Sequence, residues 1–144
     1  MIEQNMKIVM LIDTLGYGGG AERQFAGLAV SLHRRGCQVK VVAYHDRDGH
    51  QKELREAGVS YTILPECKGR FGKLKAVRKQ LAVERPDVVI SYKDGPNSIA
   101  CMLKAMGAKW KLIVSDRNTL QSISRSVRIQ YKLLYRFADA IVPT

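Results

Sequence analysis

The fold is decided by the stretch from Lys7 to Arg23, KIVMLIDTLGYGGGAER. A short apolar run comes first and is ended by Asp13, and four glycines within five positions then open a helical pattern. Glycine lets the backbone approach a ligand closely, and the N–H groups at a helix N-terminus attract anions. The stretch therefore predicts a strand, a loop that binds a phosphate or diphosphate, and a helix, in that order.

The same alternation of apolar runs and helical patterns continues to the end of the chain. The predicted strands are Lys7–Ile12, Val39–Tyr44, Val59–Leu64, Asp87–Tyr92, Lys111–Ser115 and Ala140–Val142. Apolar stripes at helical spacing begin at Phe25 and Ile99, with Gly36 and Gly107 predicted as left-handed helix ends, and Pro86 is predicted to stop a third helix. The pattern predicts an α/β fold, a Rossmann-like doubly wound parallel sheet of about six strands, forming one domain over residues 1–144.

Composition limits the classes of partner. The 24 Lys and Arg residues against 13 Asp and Glu give a formal charge of +11, which favours anionic partners. Nucleic acid ranks below lipid phosphate and phosphorylated small molecules, because the basic residues are not interleaved with stacking aromatics. The three scattered cysteines indicate reduced thiols and no metal site, and no apolar run approaches the ~20 residues of a membrane span. These features predict a cytoplasmic protein.

Several segments resemble one enzyme family. The GGGAER run from Gly18 to Arg23, after a strand that ends in Asp, resembles the GGxE loop of retaining glycosyltransferases of the GT-B fold, family 4. The PDVVISY run from Pro86 to Tyr92 resembles the fourth strand of that family. SDRN, from Ser115 to Asn118, is similar to the SERN segment of members that build bacterial surface polysaccharides and lipid-linked oligosaccharides. The ADAIV run from Ala138 resembles the last strand before the second domain.

The resemblance covers essentially the whole chain and implies that the acceptor and the donor are bound by different domains. The chain would be the acceptor-binding N-terminal half of a glycosyltransferase of cell-envelope glycan biosynthesis, with the donor-binding C-terminal domain absent from it. The co-substrate would be a nucleotide-diphosphate sugar and the acceptor a glycan or a lipid-linked saccharide, with no metal and no other cofactor. In isolation the chain is expected to be inactive.

The resemblance also implies site residues, because the glycine loop of the family closes over the diphosphate and sugar of the donor. The predicted substrate- or phosphate-binding residues are Gly18, Gly19, Gly20, Glu22, Lys93, Arg117 and Asn118. Asp94 is a candidate catalytic residue, since it falls at or near the position where many relatives carry a histidine before a Pro-Asn pair. Structural alternatives remain open for these residues: the glycines as a tight turn for helix packing, Glu22 as an acid that favours the helix dipole, Arg117 as a partner of Asp116 or Asp139, and Asp94 as part of an exposed loop.

Two basic faces are predicted to contact a membrane or a lipid phosphate. One lies on a helix predicted from Ser122 to Phe137, and the other on the third helix, where Leu74, Val77 and Leu81 face inward. The predicted contact residues are Arg125, Arg128, Lys132, Arg136, Lys73, Lys75, Arg78 and Lys79. The protein would then be peripheral on the inner face of the cytoplasmic membrane. The alternative is a solvated surface that contributes only solubility.

Two other functions remain open at this point. Gly16, Gly18 and Ala21 match the dinucleotide fingerprint, and Asp46 follows the second strand where a ribose-binding acid belongs, as in an NAD(P)-binding domain of an oxidoreductase. A non-catalytic module that binds through charge alone is the third hypothesis. The three histidines, with His45 and His50 predicted in the loop after the second strand, show no acid partner and no ligand-like spacing.

Overall fold

The computed structural model describes residues 6–16, 20–66, 69–116 and 136–143. The strands are β1 (Lys7–Thr14), β2 (Gln38–His45), β3 (Ser60–Ile63), β4 (Val88–Tyr92), β5 (Lys111–Asp116) and β6 (Ala140–Pro143). The helices are α1 (Gly20–Arg34), α2 (Gln51–Ala57), α3 (Gly69–Glu84) and α4 (Asp94–Ala105). All six predicted strands are present, with ends that differ by one or two residues.

The six strands form one sheet in the order β3-β2-β1-β4-β5-β6, and every pair of neighbours is parallel. The apolar runs explain this arrangement, because strands of a parallel sheet are covered on both faces and need apolar side chains on each. The order reverses between β1 and β4, so the chain winds outward from the centre in both directions. The predicted doubly wound Rossmann-like fold is confirmed.

Alternate residues of each strand enter two separate cores. Met10, Ile12 and Ile90 pack under α1 and α2, where Phe25 and Leu54 are fully buried. The odd-numbered residues of β1 face α3 and α4, whose buried members include Val77, Leu81, Ile99 and Leu103. This period of two is the normal geometry of a strand. The inward positions predicted for α3 are confirmed, with Leu74 partly buried beside Val77 and Leu81.

The predicted helix ends are also confirmed. Gly36 and Gly107 have φ values of 97° and 106°, and the residues after them donate back to carbonyls in the last helical turns, Cys37 to Leu32 and Ala108 to Leu103. α3 ends at Glu84, two residues before Pro86. Left-handed glycines close helices without the steric cost that a Cβ would bring.

Two parts of the chain differ from the sequence-based expectation. The stretch Gln51–Ala57 forms α2, a short helix whose seven residues include only two aliphatic side chains, so its periodicity was too weak to read. The segment predicted as a loop around Asp94 is the first turn of α4, which tolerates Pro96 because amide groups in a first turn have no helical partner. The predicted basic helix lies outside the described residues, except that Arg136 and Phe137 lie exposed in a turn.

A polar clamp fixes β6 in the sheet. Asp139 accepts a hydrogen bond at 2.7 Å from the Leu112 amide of β5 and pairs with Lys104 of α4 at 3.5 Å. The Leu112 amide, with the attraction of Lys104, lowers the pKa of Asp139. These contacts assign Asp139, a proposed partner of Arg117, to a structural role at the start of β6.

Candidate functional site

The site lies where β1 and β4 run side by side. α1 follows β1 and packs on one face of the sheet, whereas α4 follows β4 and packs on the other. The two connections therefore diverge and leave a crevice at the carboxyl edge of the sheet, which is where ligands bind in doubly wound folds. Both the glycine loop and the segment around Lys93 lie at this edge.

The glycine loop is held firmly at its beginning and open at its end. Gly16 is buried and forms an antiparallel bridge with Gly49, and the His50 amide donates to the Leu15 carbonyl at 2.9 Å. Gly20 begins α1, is exposed, and has no heavy atom within 4 Å of the place a Cβ would take. Gly18 and Gly19 lie outside the described residues. The described part of the loop thus presents the N-terminus of α1 toward the crevice.

Three charged side chains meet beside this loop. The Lys93 ammonium lies 3.2 Å from Oδ1 of Asp13, at the end of β1, and donates to Oε1 of Glu22 in the first turn of α1. Glu22 is 4% exposed, so its charge is balanced within the fold rather than by water. We call Asp13, Glu22 and Lys93 the charge cluster. It joins β1, α1 and β4 at the crevice.

The charge cluster shifts two pKa values in opposite directions. Burial by itself raises the pKa of Glu22, but the hydrogen bond from Lys93 and its positive charge outweigh burial and lower it. Burial lowers the pKa of Lys93, yet Glu22 and Asp13 together raise it. Both groups therefore stay ionised around neutral pH. The desolvation of each is compensated by its partner.

This pairing predicts an acid-dependent stability. A carboxylate whose pKa is depressed in the folded state stabilises the fold above its unfolded pKa of about 4.3, and that contribution is lost as pH falls through the folded value. We expect the free energy of unfolding of the wild type to decline below about pH 4.5, and that of Glu22→Gln to decline less. Urea unfolding at a series of pH values measures both. Parallel curves for the two proteins would contradict the pairing.

The backbone of Lys93 is unusual. Its φ of 73° and ψ of 159° fall in a region that only glycine adopts readily. A side chain there costs of order 1–3 kcal/mol and persists only where the surrounding structure demands it. The side chain that bears this cost is also the one that holds Asp13 and Glu22. The sequence gives no sign of this conformation.

Two buried hydroxyl groups line the same face of the sheet. The register places Tyr44 of β2 opposite Asp13, between the pairs Ile12 with Ala43 and Thr14 with His45. Ser91 of β4 lies opposite Leu11. The oxygens of Tyr44 and Ser91 are buried and find no hydrogen-bond partner among the described residues. Burial, together with the charge of Asp13, raises the pKa of Tyr44.

The other predicted site residues are spread around the crevice. Asp94 is the first residue of α4 and Lys93 immediately precedes it, whereas Arg117 and Asn118 lie outside the described residues. Lys73, predicted to face a membrane, is half-buried and lies 5.5 Å from the centre of the Tyr44 ring. The remaining predicted contacts on α3 are exposed: Lys75, Arg78 and Lys79. Arg125, Arg128 and Lys132 also lie outside the described residues, so their roles stay predictions.

The site disagrees with a dinucleotide fingerprint. The first glycine of that motif begins a tight turn against the pyrophosphate, but Gly16 is instead buried against Gly49 and lies four residues before α1 starts at Gly20. Asp46 is exposed after β2, and Ala21 is half-buried inside α1. The spacing in the sequence therefore matches the motif without reproducing its geometry.

The structure corrects one expectation for the histidines. His45 is the last residue of β2, and His50 immediately precedes α2 and pairs with Glu53, its Nδ1 being 3.1 Å from the carboxylate. The expectation that no acid partner exists is therefore wrong for His50. His50 and Glu53 are three positions apart at the start of α2, so their contact depends on a helix that the sequence did not predict. The third histidine, His33, lies on α1.

The described residues contain neither a cluster of metal ligands nor a helix that could span a membrane. In the ranges 6–16, 20–66, 69–116 and 136–143, no group of three or more His, Cys, Asp and Glu side chains could hold a metal ion. Within the same ranges no helix is both long and apolar enough to cross a bilayer. Cys37 and Cys101 are buried in the two cores, and burial raises the pKa of Cys101 to about 12.

Comparison with known proteins points to one family. The model of a family described as "Glycosyl transferase 4-like domain" matches residues 19–144. A curated relative from Campylobacter jejuni, GalNAc-α-(1→4)-GalNAc-α-(1→3)-diNAcBac-PP-undecaprenol α-1,4-N-acetyl-D-galactosaminyltransferase, is 32% identical over 94% of this chain and 39% of its own length. The chain thus spans about two fifths of that relative.

Solved structures agree on the fold. HepE of Anabaena, in complex with UDP-glucose, has a TM-score of 0.75 at 18% identity, over 95% of this chain and 37% of its own. The UDP-GlcNAc 2-epimerase of Methanocaldococcus jannaschii has a TM-score of 0.68 at 12% identity, over 96% and 40%. An epimerase shares the fold, so likeness of structure at this level does not by itself choose a reaction.

Proposed function

Because the chain belongs to the family of glycosyl transferase 4-like domains, we propose that it is the acceptor-binding half of a glycosyltransferase. The reaction would transfer a sugar from a nucleotide-diphosphate sugar to a lipid-linked or polysaccharide acceptor in cell-envelope glycan biosynthesis. The family match over residues 19–144 carries this proposal. The choice of acceptor rests on the relative from Campylobacter jejuni, whose substrate is a saccharide joined to PP-undecaprenol.

The geometry of the crevice supports a contribution to the donor diphosphate. Gly20 adds no side chain at the N-terminus of α1, so backbone amide groups of the first turn and the helix dipole can face negative charge. In sugar transfer the leaving diphosphate gains charge as the glycosidic bond breaks, and fixed N–H donors stabilise that charge without reorganising. We therefore assign diphosphate contact to the glycine loop. Arg117 and Asn118, which follow β5, are predicted to contact the diphosphate as well.

The proposed transferase needs access to an acceptor held in a bilayer, and α3 offers a suitable surface. Lys75, Arg78 and Lys79 are exposed on this helix, and Phe71 at its start is 85% exposed. Basic side chains beside an exposed aromatic residue suit the headgroup region of an anionic membrane. We propose that this face, together with the basic residues predicted at 125–136, brings the crevice to the membrane.

Vesicle co-sedimentation tests acceptor and membrane together. The chain is mixed with zwitterionic vesicles, with zwitterionic vesicles that carry an undecaprenyl-diphosphate-linked saccharide, and with anionic vesicles. We expect little binding to the first and clear binding to the other two. Because each basic residue near an anionic surface contributes about 1 kcal/mol, changing Lys75, Arg78 and Lys79 together to alanine should weaken binding to anionic vesicles at least about tenfold.

A second triple variant is the matched control. Arg34, Arg35 and Lys52 are exposed near the ends of α1 and α2, away from α3, and changing them to alanine removes the same amount of charge. Equal losses in both variants would mean that only net charge matters and would remove α3 from the proposal. Failure of the saccharide to raise binding above plain zwitterionic vesicles would overturn the acceptor role, and micromolar binding of NAD would support the oxidoreductase instead.

A further inference from the structure

The two carboxylate oxygens of Asp13 differ in their surroundings. Oδ1 accepts a hydrogen bond at 2.7 Å from the Thr14 amide and lies 3.2 Å from the Lys93 ammonium. Oδ2 has no partner among the described residues, and the side chain is 37% exposed. An ionised carboxylate accepts about four hydrogen bonds. Asp13 is thus fixed through one oxygen and open to a ligand through the other.

The charge of the surroundings decides which ligand fits. The charge cluster holds two carboxylates and one ammonium, so it is negative as a whole. A phosphate next to Oδ2 would meet a like charge, whereas a neutral hydroxyl donates a hydrogen bond that the carboxylate charge strengthens. The free oxygen of Asp13 therefore suits the hydroxyl of a sugar.

An independent observation points to the same place. Tyr44 lies next to Asp13 across the strand pair, is 6% exposed, and its hydroxyl lacks a hydrogen-bond partner within the described part of the chain. Leaving a buried hydroxyl unpaired costs about 1–3 kcal/mol, so proteins normally satisfy such groups. Lys73 lies over the ring of Tyr44, so a sugar ring bonded to Asp13 reaches this hydroxyl when Lys73 moves aside.

We propose that Lys93 is a positioning residue that holds Asp13 and Glu22 so that the free oxygen of Asp13, with the hydroxyl of Tyr44 on the neighbouring strand, binds a hydroxyl group of a sugar. The proposal rests on the proposed function and names a subsite within it. The strained backbone of Lys93 fits this role, because glycine would occupy the same conformation without strain but could not hold either carboxylate. A lysine at this position accepts the strain and keeps the side chain that holds the two carboxylates.

Nuclear magnetic resonance titration of the isotope-labelled chain tests the subsite. The probes are the methyl glycoside of N-acetylgalactosamine and, separately, inorganic pyrophosphate. We expect the glycoside to shift the signals of Asp13 and Tyr44 with millimolar affinity, and pyrophosphate to shift those of Gly20 and Ala21 instead. Lys93→Met should weaken glycoside binding about tenfold, because Asp13 is no longer fixed and the hydrogen bond of the glycoside to its carboxylate is lost. Lys93→Arg should restore glycoside binding to within about threefold.

Two further variants complete the test. Lys104→Met breaks a comparable pair with Asp139 at β6 and should leave glycoside binding unchanged. Lys93→Gly removes the ammonium while relieving the backbone, so it reports on the side chain even if Lys93→Met folds poorly. Normal glycoside binding by Lys93→Met or by Lys93→Gly would overturn the positioning role.

The outcomes separate this subsite from the proposed function. If the glycoside leaves Asp13 and Tyr44 unshifted while the saccharide-bearing vesicles still bind the chain, the subsite is wrong and the acceptor role stands. If pyrophosphate shifts Asp13 more strongly than the glycoside does, the cluster is a phosphate site and the proposal is also wrong. If the glycoside binds at Asp13 but the vesicles do not bind, the subsite stands and the lipid-linked acceptor is wrong.

Discussion

Changing Gly49 to alanine is expected to lower the free energy of unfolding by about 3 kcal/mol. A Cβ at this position would lie 2.1 Å from the Leu15 carbonyl oxygen and 2.6 Å from the Gly16 Cα. Both are backbone atoms at the beginning of the glycine loop, so neither can turn away as a flexible side chain would. The segment between β2 and α2 must then move off the loop, which breaks the bridge with Gly16 and the hydrogen bond from His50.

Urea unfolding monitored by circular dichroism measures this loss, with Gly27→Ala as the control. Gly27 lies in the exposed face of α1 and has no heavy atom within 4 Å of the added methyl group. Alanine there should stabilise the chain by about 0.5–1 kcal/mol, because it reduces the freedom of the unfolded state. A Gly49→Ala protein as stable as the wild type would mean that the two loops are not in contact.

Changing Phe25 to alanine should cost about 4 kcal/mol. Phe25 lies on the inner face of α1, is fully buried and meets Tyr92 edge to face, with ring centroids 5.2 Å apart and planes at 82°. Its removal leaves a cavity and deletes a favourable aromatic pair. Tyr92 directly precedes Lys93, so the cavity opens beneath the crevice.

Phe71→Ala provides the matched comparison for this substitution. The same side chain is removed from the start of α3, where it is 85% exposed, and the expected change lies within about 0.5 kcal/mol. Both variants are measured by chemical unfolding under identical conditions. A cost for Phe25→Ala no larger than that for Phe71→Ala would contradict the packing described here.

The sequence predicted the sheet well because each strand carries its own local signal. β1, β2 and β4 are mostly apolar runs bounded by charge, glycine or proline, and the glycines at 36 and 107 occur where helices need left-handed ends. These are short-range effects of backbone sterics and burial. α2 escaped prediction because its contribution to the core rests chiefly on Leu54.

The candidate site was predicted less completely because its contacts are long-range. Glu22 and Lys93 were each singled out, yet they are 71 positions apart, and only the adjacency of β1 and β4 brings them together. The sequence identifies Asp13 only as the residue that ends the first apolar run. Its fixed orientation, and the conformation of Lys93 that fixes it, arise from tertiary structure. No local pattern encodes either.

The last strand of the sheet has a consequence for how the protein behaves at high concentration. β6 lies at the edge, and its Ile141 and Val142 are each nearly half exposed. Within the described residues β6 pairs only with β5, and an edge strand with apolar side chains is a template for pairing between molecules, which mutual repulsion at a charge of +11 opposes. Since salt shortens the reach of that repulsion from about 30 Å at 0.01 M to about 8 Å at 0.15 M, colloidal stability is expected to be greatest in dilute buffer.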